Sequence, residues 1–408
     1  MLRRYEIPLL IASIFLLILI LRFLFFFTFE EKLIVGSDVE IEHTFLEQPK
    51  SNEFQQYFYI DDALVVLPLF PKYSYGDKLK LKGTVEKLSS RDGSDVTEKL
   101  IIRNPEVKSI ESEELAVFKF IRQRIVLAYK SILPPREAGL LSGVVLGVED
   151  GIDDGFKNEL KRTGMLHVVV ASGSNVVLVA GIIFGLISGL VKKRLGIIFT
   201  IAVIFFYALL TGFDPPIVRA SIMASFGFTA LLLGRQRVAL MSLMFSGWLM
   251  LMISPRLVTD VGFQLSFSAT FGIILFQKII LTVGRIVPNL LKEDFATTLA
   301  AQIGALPFLL FAFGEVSLLS IFINLILLWT VPIIMIFGLL SAVLGLSIPI
   351  LASPFLYLIY PLLAFFSEVV RLSSNFYIPL TLDSIYAPIT VIYYILVVYI
   401  LMKRKEAK

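Results

Sequence analysis

The chain contains no cysteine and only two histidines, His43 and His167, in 408 residues. The first absence excludes disulfides, thiolate metal sites and cysteine nucleophiles. The second leaves too few imidazoles for a dinuclear metallohydrolase centre, so no metal and no cofactor is expected. Charge is scarce as well: 17% of residues are Asp, Glu, Lys or Arg, where a soluble domain carries about a quarter. No G-x-x-x-x-G-K-[ST] stretch occurs, so the chain has no phosphate-cradling NTPase loop. What is present is apolar sequence, 57% of the chain. Much of it lies in runs of about 20 residues, the length that crosses a bilayer as a helix.

The net charge of +4 is unevenly placed. Residues 30–113 carry 11 Lys/Arg against 17 Asp/Glu, and residues 114–408 carry 23 against 15. The acidic block reads as a soluble domain; the basic surplus belongs to the apolar part. Residues 1–29 read as an uncleaved transmembrane anchor. Arg3 and Arg4 precede the apolar run and set the N-terminus in the cytoplasm. The run ends Phe25-Phe26-Phe27-Thr28-Phe29 rather than in the small residues of a cleavage site. Residues 30–113 then alternate. In Lys78-Leu79-Lys80-Leu81-Lys82-Gly83 the lysines share one face and the leucines the other, the period-two pattern of a half-buried strand. The expectation is a small extracytoplasmic β-rich domain.

Residues 114–135 return to helical spacing, with Phe118, Ile121, Ile125, Ala128 and Ile132 on one stripe and Pro134-Pro135 at the end. A helix lying on the membrane surface and a connector packed on protein fit this pattern equally. Residues 136–402 form the transmembrane domain. Leu140–Val148 is too short to span and reads as interfacial or re-entrant. Spans follow at 166–190, 197–213, 217–233, 238–253, 260–282, 295–313, 317–346, 350–371 and 386–402, which with the anchor makes about ten transmembrane helices. The run at 317–346 is over-long and holds Pro332, so a tilt, a kink or a split is expected there. The fold class is thus a polytopic α-helical membrane protein with a small β-rich domain. Lys192-Lys193-Arg194, Arg235 with Arg237, Lys278 with Arg285 and Lys292, and the basic tail 403–408 would all be cytoplasmic, so both termini lie inside.

Polar residues inside apolar runs are the candidate functional groups, because they are costly there and usually face a bundle interior or water. The first cluster is His167 through Ser172, Gly173 and Asn175. From composition, helix-packing hydrogen bonds are the better reading of it, and a lined path is the other. The second is Asp214-Pro215-Pro216-Ile217-Val218-Arg219. Snorkelling or pairing with Asp214 fits Arg219 best by spacing, and phosphate contact is the other reading. In the third, Asp260 fits a helix N-cap, while Gln264 and Ser268 share a face. The fourth is Gln302 and Pro307, with Asn324 further on as a lone amide. None of these assembles hydrolytic chemistry. His167 and Ser172 stand five apart with no nearby carboxylate to orient the histidine, so no catalytic residue is expected and the chain reads as no enzyme.

In this order the clusters resemble the transmembrane domain of the ComEC-type competence family. The resemblance rests on Glu137-Ala138-Gly139-Leu140-Leu141-Ser142-Gly143, His167 with Ser172-Gly173, Arg219-Ala220-Ser221-Ile222-Met223, Gly262 to Phe267, and Gln302, Pro307 and Asn324. Tyr73-Ser74-Tyr75-Gly76-Asp77-Lys78-Leu79 resembles the family's oligonucleotide-binding (OB-like) N-terminal domain more loosely. Two departures stand out: Ser174-Asn175 occupy the place of a second histidine found in many members, and the chain ends at Lys408 without a metallo-β-lactamase-like domain.

The resemblance implies a channel in the bacterial cytoplasmic membrane that carries single-stranded DNA inward during natural transformation. The listed polar residues of the bundle would then line the path. A separate nuclease, a DNA receptor and a cytoplasmic translocation ATPase are the implied partners, beside the membrane lipids. Tyr73, Tyr75, Lys78, Lys80 and Lys82 are the candidate DNA contacts, against the reading of a solvated strand face. A small-solute or ion transporter and an envelope assembly scaffold are the alternatives.

Overall fold

The computed structural model describes residues 3–29, 34–45, 49–51, 54–60, 63–92, 95–110, 113–149, 151–169, 172–235, 238–283, 289–317, 319–377, 379–381 and 393. The expected span at 386–402 and the basic tail therefore lie outside the described residues, apart from Tyr393.

Helix α1 (Arg3–Phe29) leads into eight strands: β1 (Asp38–Thr44), β2 (Lys50–Ser51), β3 (Gln55–Ile60), β4 (Ala63–Pro68), β5 (Lys78–Thr84), β6 (Glu86–Asp92), β7 (Asp95–Arg103) and β8 (Glu106–Ile110). One sheet has the order β1-β5-β8 and the other β2-β3-β4-β7-β6. All pairings are antiparallel except β4 with β7. Only Val85 separates β5 from β6, so the chain passes from one sheet to the other there. Gly83 stands at that bend, where a β-carbon would fall 2.9 Å from Ile102. The alternation read from the sequence holds: Leu79 and Leu81 point inward with Ala63, Val65 and Leu67 of β4, against Phe45, Ile60 and Ile102.

The rest is helical: α2 (Glu113–Lys130), α3 (Pro135–Leu146), α4 (Asp154–Thr163), α5 (Leu166–Val169), α6 (Gly173–Ser188), α7 (Lys193–Thr211), α8 (Pro215–Leu232), α9 (Ala239–Ile253), α10 (Val261–Val283), α11 (Asn289–Phe313), α12 (Ser320–Leu327), α13 (Thr330–Ser347) and α14 (Pro349–Ser374). A short β9 (Glu315–Ser317) pairs antiparallel with β10 (Pro379–Thr381), which follows α14 in the chain. Among the described residues, six helical segments are long and apolar enough to cross a membrane, or up to seven if the bent pair α12–α13 is one span. The expected over-long run at 317–346 is split, with a bend of 50° between its two helices. The expected span at 166–190 is matched by the apolar segment Leu166–Ser188, whose described parts are α5 and α6.

Helix α3 sits at the centre of the bundle, with every residue from Ala138 to Leu146 buried. A helix this short does not span, and its last carbonyls have no partner within the helix. Side chains from neighbouring helices supply them: Asn175 Nδ2 donates to the Val144 carbonyl (2.8 Å) and Tyr207 Oη to that of Val145 (3.0 Å). Small residues let α3 fit. A β-carbon on Gly139 would fall 2.3 Å from the Gly151 carbonyl oxygen, and one on Gly143 would fall 2.6 Å from that of Val169. In a bilayer, close approach of this kind rather than water expulsion holds helices together.

Helix α1 packs on α9. Trp248 Nε1 donates to the Phe15 carbonyl (3.0 Å), and Arg22 Nε reaches the Met252 carbonyl (3.1 Å) near the end of α9. That carbonyl lies in the last turn, where a cation is favoured.

Candidate functional site

Several of the candidate polar side chains fall into two groups. In the first, Pro215 and Pro216 start α8, and Arg219 follows in its opening turns. The guanidinium turns to α10: Nε donates to Ser266 Oγ (2.6 Å) and Nη1 to Thr270 Oγ1 (2.7 Å). These hydrogen-bond partners are on α10 rather than Asp214, which is one of the two readings by spacing. Gly173 at the start of α6 abuts the same group, since a β-carbon there would stand 2.7 Å from Arg219 Nη2 and 3.3 Å from the Pro216 carbonyl oxygen. Ser172 Oγ lies 2.6 Å from Ser174 Oγ and 3.3 Å from Asn175 Oδ1. Arg219, Gly173, Ser172, Ser266 and Thr270 thus form one seam between α6, α8 and α10. Asn175 is fully buried behind it and serves the α3 carbonyl.

In the second group, His167 Nδ1 lies 2.8 Å from the Gly164 carbonyl oxygen. Gly164 itself approaches Ser320 so closely that a β-carbon would stand 2.6 Å from that of Ser320. Gln302 Nε2 donates to Ser320 Oγ (2.6 Å), which donates in turn to the Ser317 carbonyl (2.8 Å). Asn324 follows Ser320 by one turn and is buried, its Oδ1 without a hydrogen-bond partner.

Three expected residues serve their own helix instead. Asp260 Oδ1 accepts from the Phe263 backbone N–H (2.6 Å) as an N-cap, Gln264 Nε2 folds back to the Val258 carbonyl (2.8 Å), and Ser268 Oγ donates to the Leu265 carbonyl (3.1 Å). Pro307 is buried inside α11. Sequence reasoning missed Ser266, Thr270, Ser320 and Tyr207. The first two were signalled by an i, i+4 hydroxyl pair on α10, the spacing that Gln264 and Ser268 also have. Among the described residues no group of three potential metal ligands occurs. Two cavities lie off the seam: one of about 400 Å3 beside Lys130 and Asp153, and an apolar one of about 480 Å3 between Phe205, Phe226 and Phe245.

The β domain corrects another expectation. Tyr75 does not face outward: it is 2% exposed, its hydroxyl donates to the Leu209 carbonyl near the end of α7, and its ring carries the Arg122 guanidinium 4.5 Å from its centroid. Burial pushes the Tyr75 phenol above its ordinary range, with the Arg122 charge opposing, so it stays a neutral donor. Strand alternation cannot reveal that this turn abuts a helix bundle. Tyr73 is half-buried against the β core. Lys78 pairs with Glu42 (3.0 Å) and Lys80 with Glu40 (2.9 Å) across the β1–β5 ladder, which holds both carboxyls below their ordinary range. Lys82 remains exposed.

A family model described as Competence protein matches residues 144–406, and both groups of polar residues lie within or beside that stretch. The chain belongs to the competence protein family. Among curated relatives, this competence-family chain is 26% identical over 234 residues to "ComE operon protein 3" of Bacillus subtilis, covering 55% of the chain and 29% of the relative. It is 31% identical over 210 residues to an uncharacterised protein of Aquifex aeolicus, covering 50% of the chain and 48% of the relative. The chain therefore aligns with less than half the length of either. No solved structure matches it.

Proposed function

We propose that this competence-family chain is a membrane channel that passes single-stranded DNA inward across the bacterial cytoplasmic membrane, without catalysing a reaction itself. The observation that carries the reading is the polar seam between α6, α8 and α10, with Arg219 at its centre, inside the stretch matched by the competence family. Arginine is rare at membrane depth and marks solute pathways. Sparse polar groups in an apolar wall let a polyanion move without being trapped.

The topology supports the direction of travel. The β domain docks by Tyr75 on the far end of α7 from Lys193 and Arg194. Basic residues favour the cytoplasmic side, so the β domain faces outward and both termini face inward. Joining the bent pair, counting α1 and α9, and adding the apolar run at 386–402 restores about ten spans. The strand order, with its single parallel pair β4–β7, supports an OB-like barrel. Its exposed aromatics, Tyr59 and Phe70, are better stacking platforms for a single strand than Tyr73 or Tyr75. A receptor, a nuclease and an ATPase are the partners this reading calls for.

The test is uptake of labelled DNA by a transformable strain that lacks its own channel and expresses this chain. Wild type should restore uptake, and Arg219→Glu should reduce it at least about tenfold, the effect of reversing a charge contact worth over 1.4 kcal/mol, with membrane levels unchanged. Restored uptake with Arg219→Glu would remove the seam from the path.

A further inference from the structure

Arg219 brings a charge into an apolar bundle, and its surroundings leave that charge open on one side. Ser266 and Thr270 orient the guanidinium through Nε and Nη1, but hydroxyls are neutral and cancel nothing. Among the described residues no carboxylate pairs with it, and Nη2 makes no hydrogen bond. Nη2 points at Gly173, the first residue of α6. Ser172 occupies the N-cap position with extended backbone, yet its hydroxyl makes no capping bond and turns to Ser174. Among the described residues no side chain accepts from the first backbone N–H groups of α6; that of Asn175 bonds to the Ser172 carbonyl oxygen, and those of Gly173 and Ser174 lie beside the guanidinium.

Two independent sources of positive potential converge here. Helix N-termini attract anions through their free N–H groups and dipole. A guanidinium is matched best by a phosphate or carboxylate oxygen. Gly173 keeps the approach clear, because any β-carbon would displace Nη2.

We infer that Arg219 and the first turn of α6 form an anion site that holds one phosphate of a phosphodiester chain. This rests on the transport reading above and goes beyond it, by assigning the contact to a single guanidinium and a helix terminus. Ser172 and Ser174 stand at its edge, and Ser266 and Thr270 hold the fork in position.

The experiment uses the full chain in a maltoside detergent free of phosphate, with a labelled oligothymidylate of about 20 nucleotides, titrated between about 50 and 200 mM salt. Each phosphate contact on a single strand adds about 0.7 to the slope of log affinity against log salt. Arg219→Gln, which keeps an amide for Ser266 and Thr270 but carries no charge, should lower the slope by about 0.7 and weaken binding about tenfold at the lowest salt. Arg219→Lys should keep the slope. An unchanged slope in Arg219→Gln overturns the site while leaving the transport reading intact. Equal losses in the Gln and Lys variants also overturn it, since the role is then bracing rather than charge. If wild type binds no oligothymidylate at all, the transport reading fails and the site with it. If added phosphatidylglycerol removes the Arg219-dependent part of the slope, the site holds a lipid headgroup and the assignment to a strand is overturned.

Discussion

His43 lies between two aromatic rings, stacked on Phe58 at 5.2 Å between centroids and edge-on to Phe45 at 5.0 Å. Burial pushes its imidazole below 6.5, so protonation favours the unfolded domain. The stabilising contribution is complete above the unfolded pKa and is lost as pH falls below about 6.5 toward the folded value. The carboxylates behave differently. Glu40 and Glu42 have folded values below 4.5, so their contribution persists to lower pH and is lost as pH falls from about 4.5 through those values. Hydrogen exchange of β1 and β5 amides, corrected for intrinsic rates, should therefore be faster at about pH 5.5 than at pH 7, and His43→Gln should abolish most of the difference. A wild-type domain equally protected at both values would show that His43 does not carry this dependence. The single-residue facts legible in the sequence were those set by local rules, such as Asp260 at an N-cap. Arg219 was visible as an oddity, but its partners were not, because they come from a helix more than 40 residues away.

Helices α10 and α11 cross through glycine. A β-carbon on Gly272 would stand 2.4 Å from the Ala300 carbonyl oxygen, and one on Gly304 would stand 2.3 Å from that of Ser268. Gln277 Nε2 to Thr297 Oγ1 (2.6 Å) ties the same pair of helices further along. Gly272→Val should force the helices apart at a cost of about 1–3 kcal/mol, the usual range for overpacking, and lower the midpoint of thermal unfolding in detergent. Gly181→Val is the control, since its site is open, and a Gly272→Val midpoint equal to that control would deny the crossing. Element types were readable from periodicity and run length, including the strands of the β domain and the split at 317–346. Which face of α10 turns inward was not. Gln264 and Ser266 differ by about 200° around a helix, and both faces carry a polar pair at i, i+4. Only the packing of α8 against α10 decides that Ser266 and Thr270 meet the arginine.

Among the described residues, the β domain meets the bundle through a polar contact at the Tyr75 turn. Tyr75 reaches Leu209, Arg122 covers the Tyr75 ring, and Lys119 of α2 pairs with Asp77 beside the same turn. Arg122 lies beside the apolar stripe of α2 and is 6% exposed, covered by the Tyr75 ring of the docked domain. A buried cation–π contact and two such hydrogen bonds together contribute on the order of 3–5 kcal/mol, enough to hold the domain against the end of α7. Removing them should release it to swing on the segment between β8 and α2. The absence of native cysteine makes this measurable with two introduced labels. Phe70 in the β domain and Leu190 at the end of α6 are 76% and 82% exposed. Spin labels at Phe70→Cys and Leu190→Cys should give one narrow distance distribution by pulsed dipolar spectroscopy. Adding Tyr75→Leu and Lys119→Ala should broaden it, and in the transport assay should lower uptake without affecting insertion. A distribution that stays narrow would mean that other contacts hold the domain, and the Tyr75 turn would not be what fixes it to the bundle.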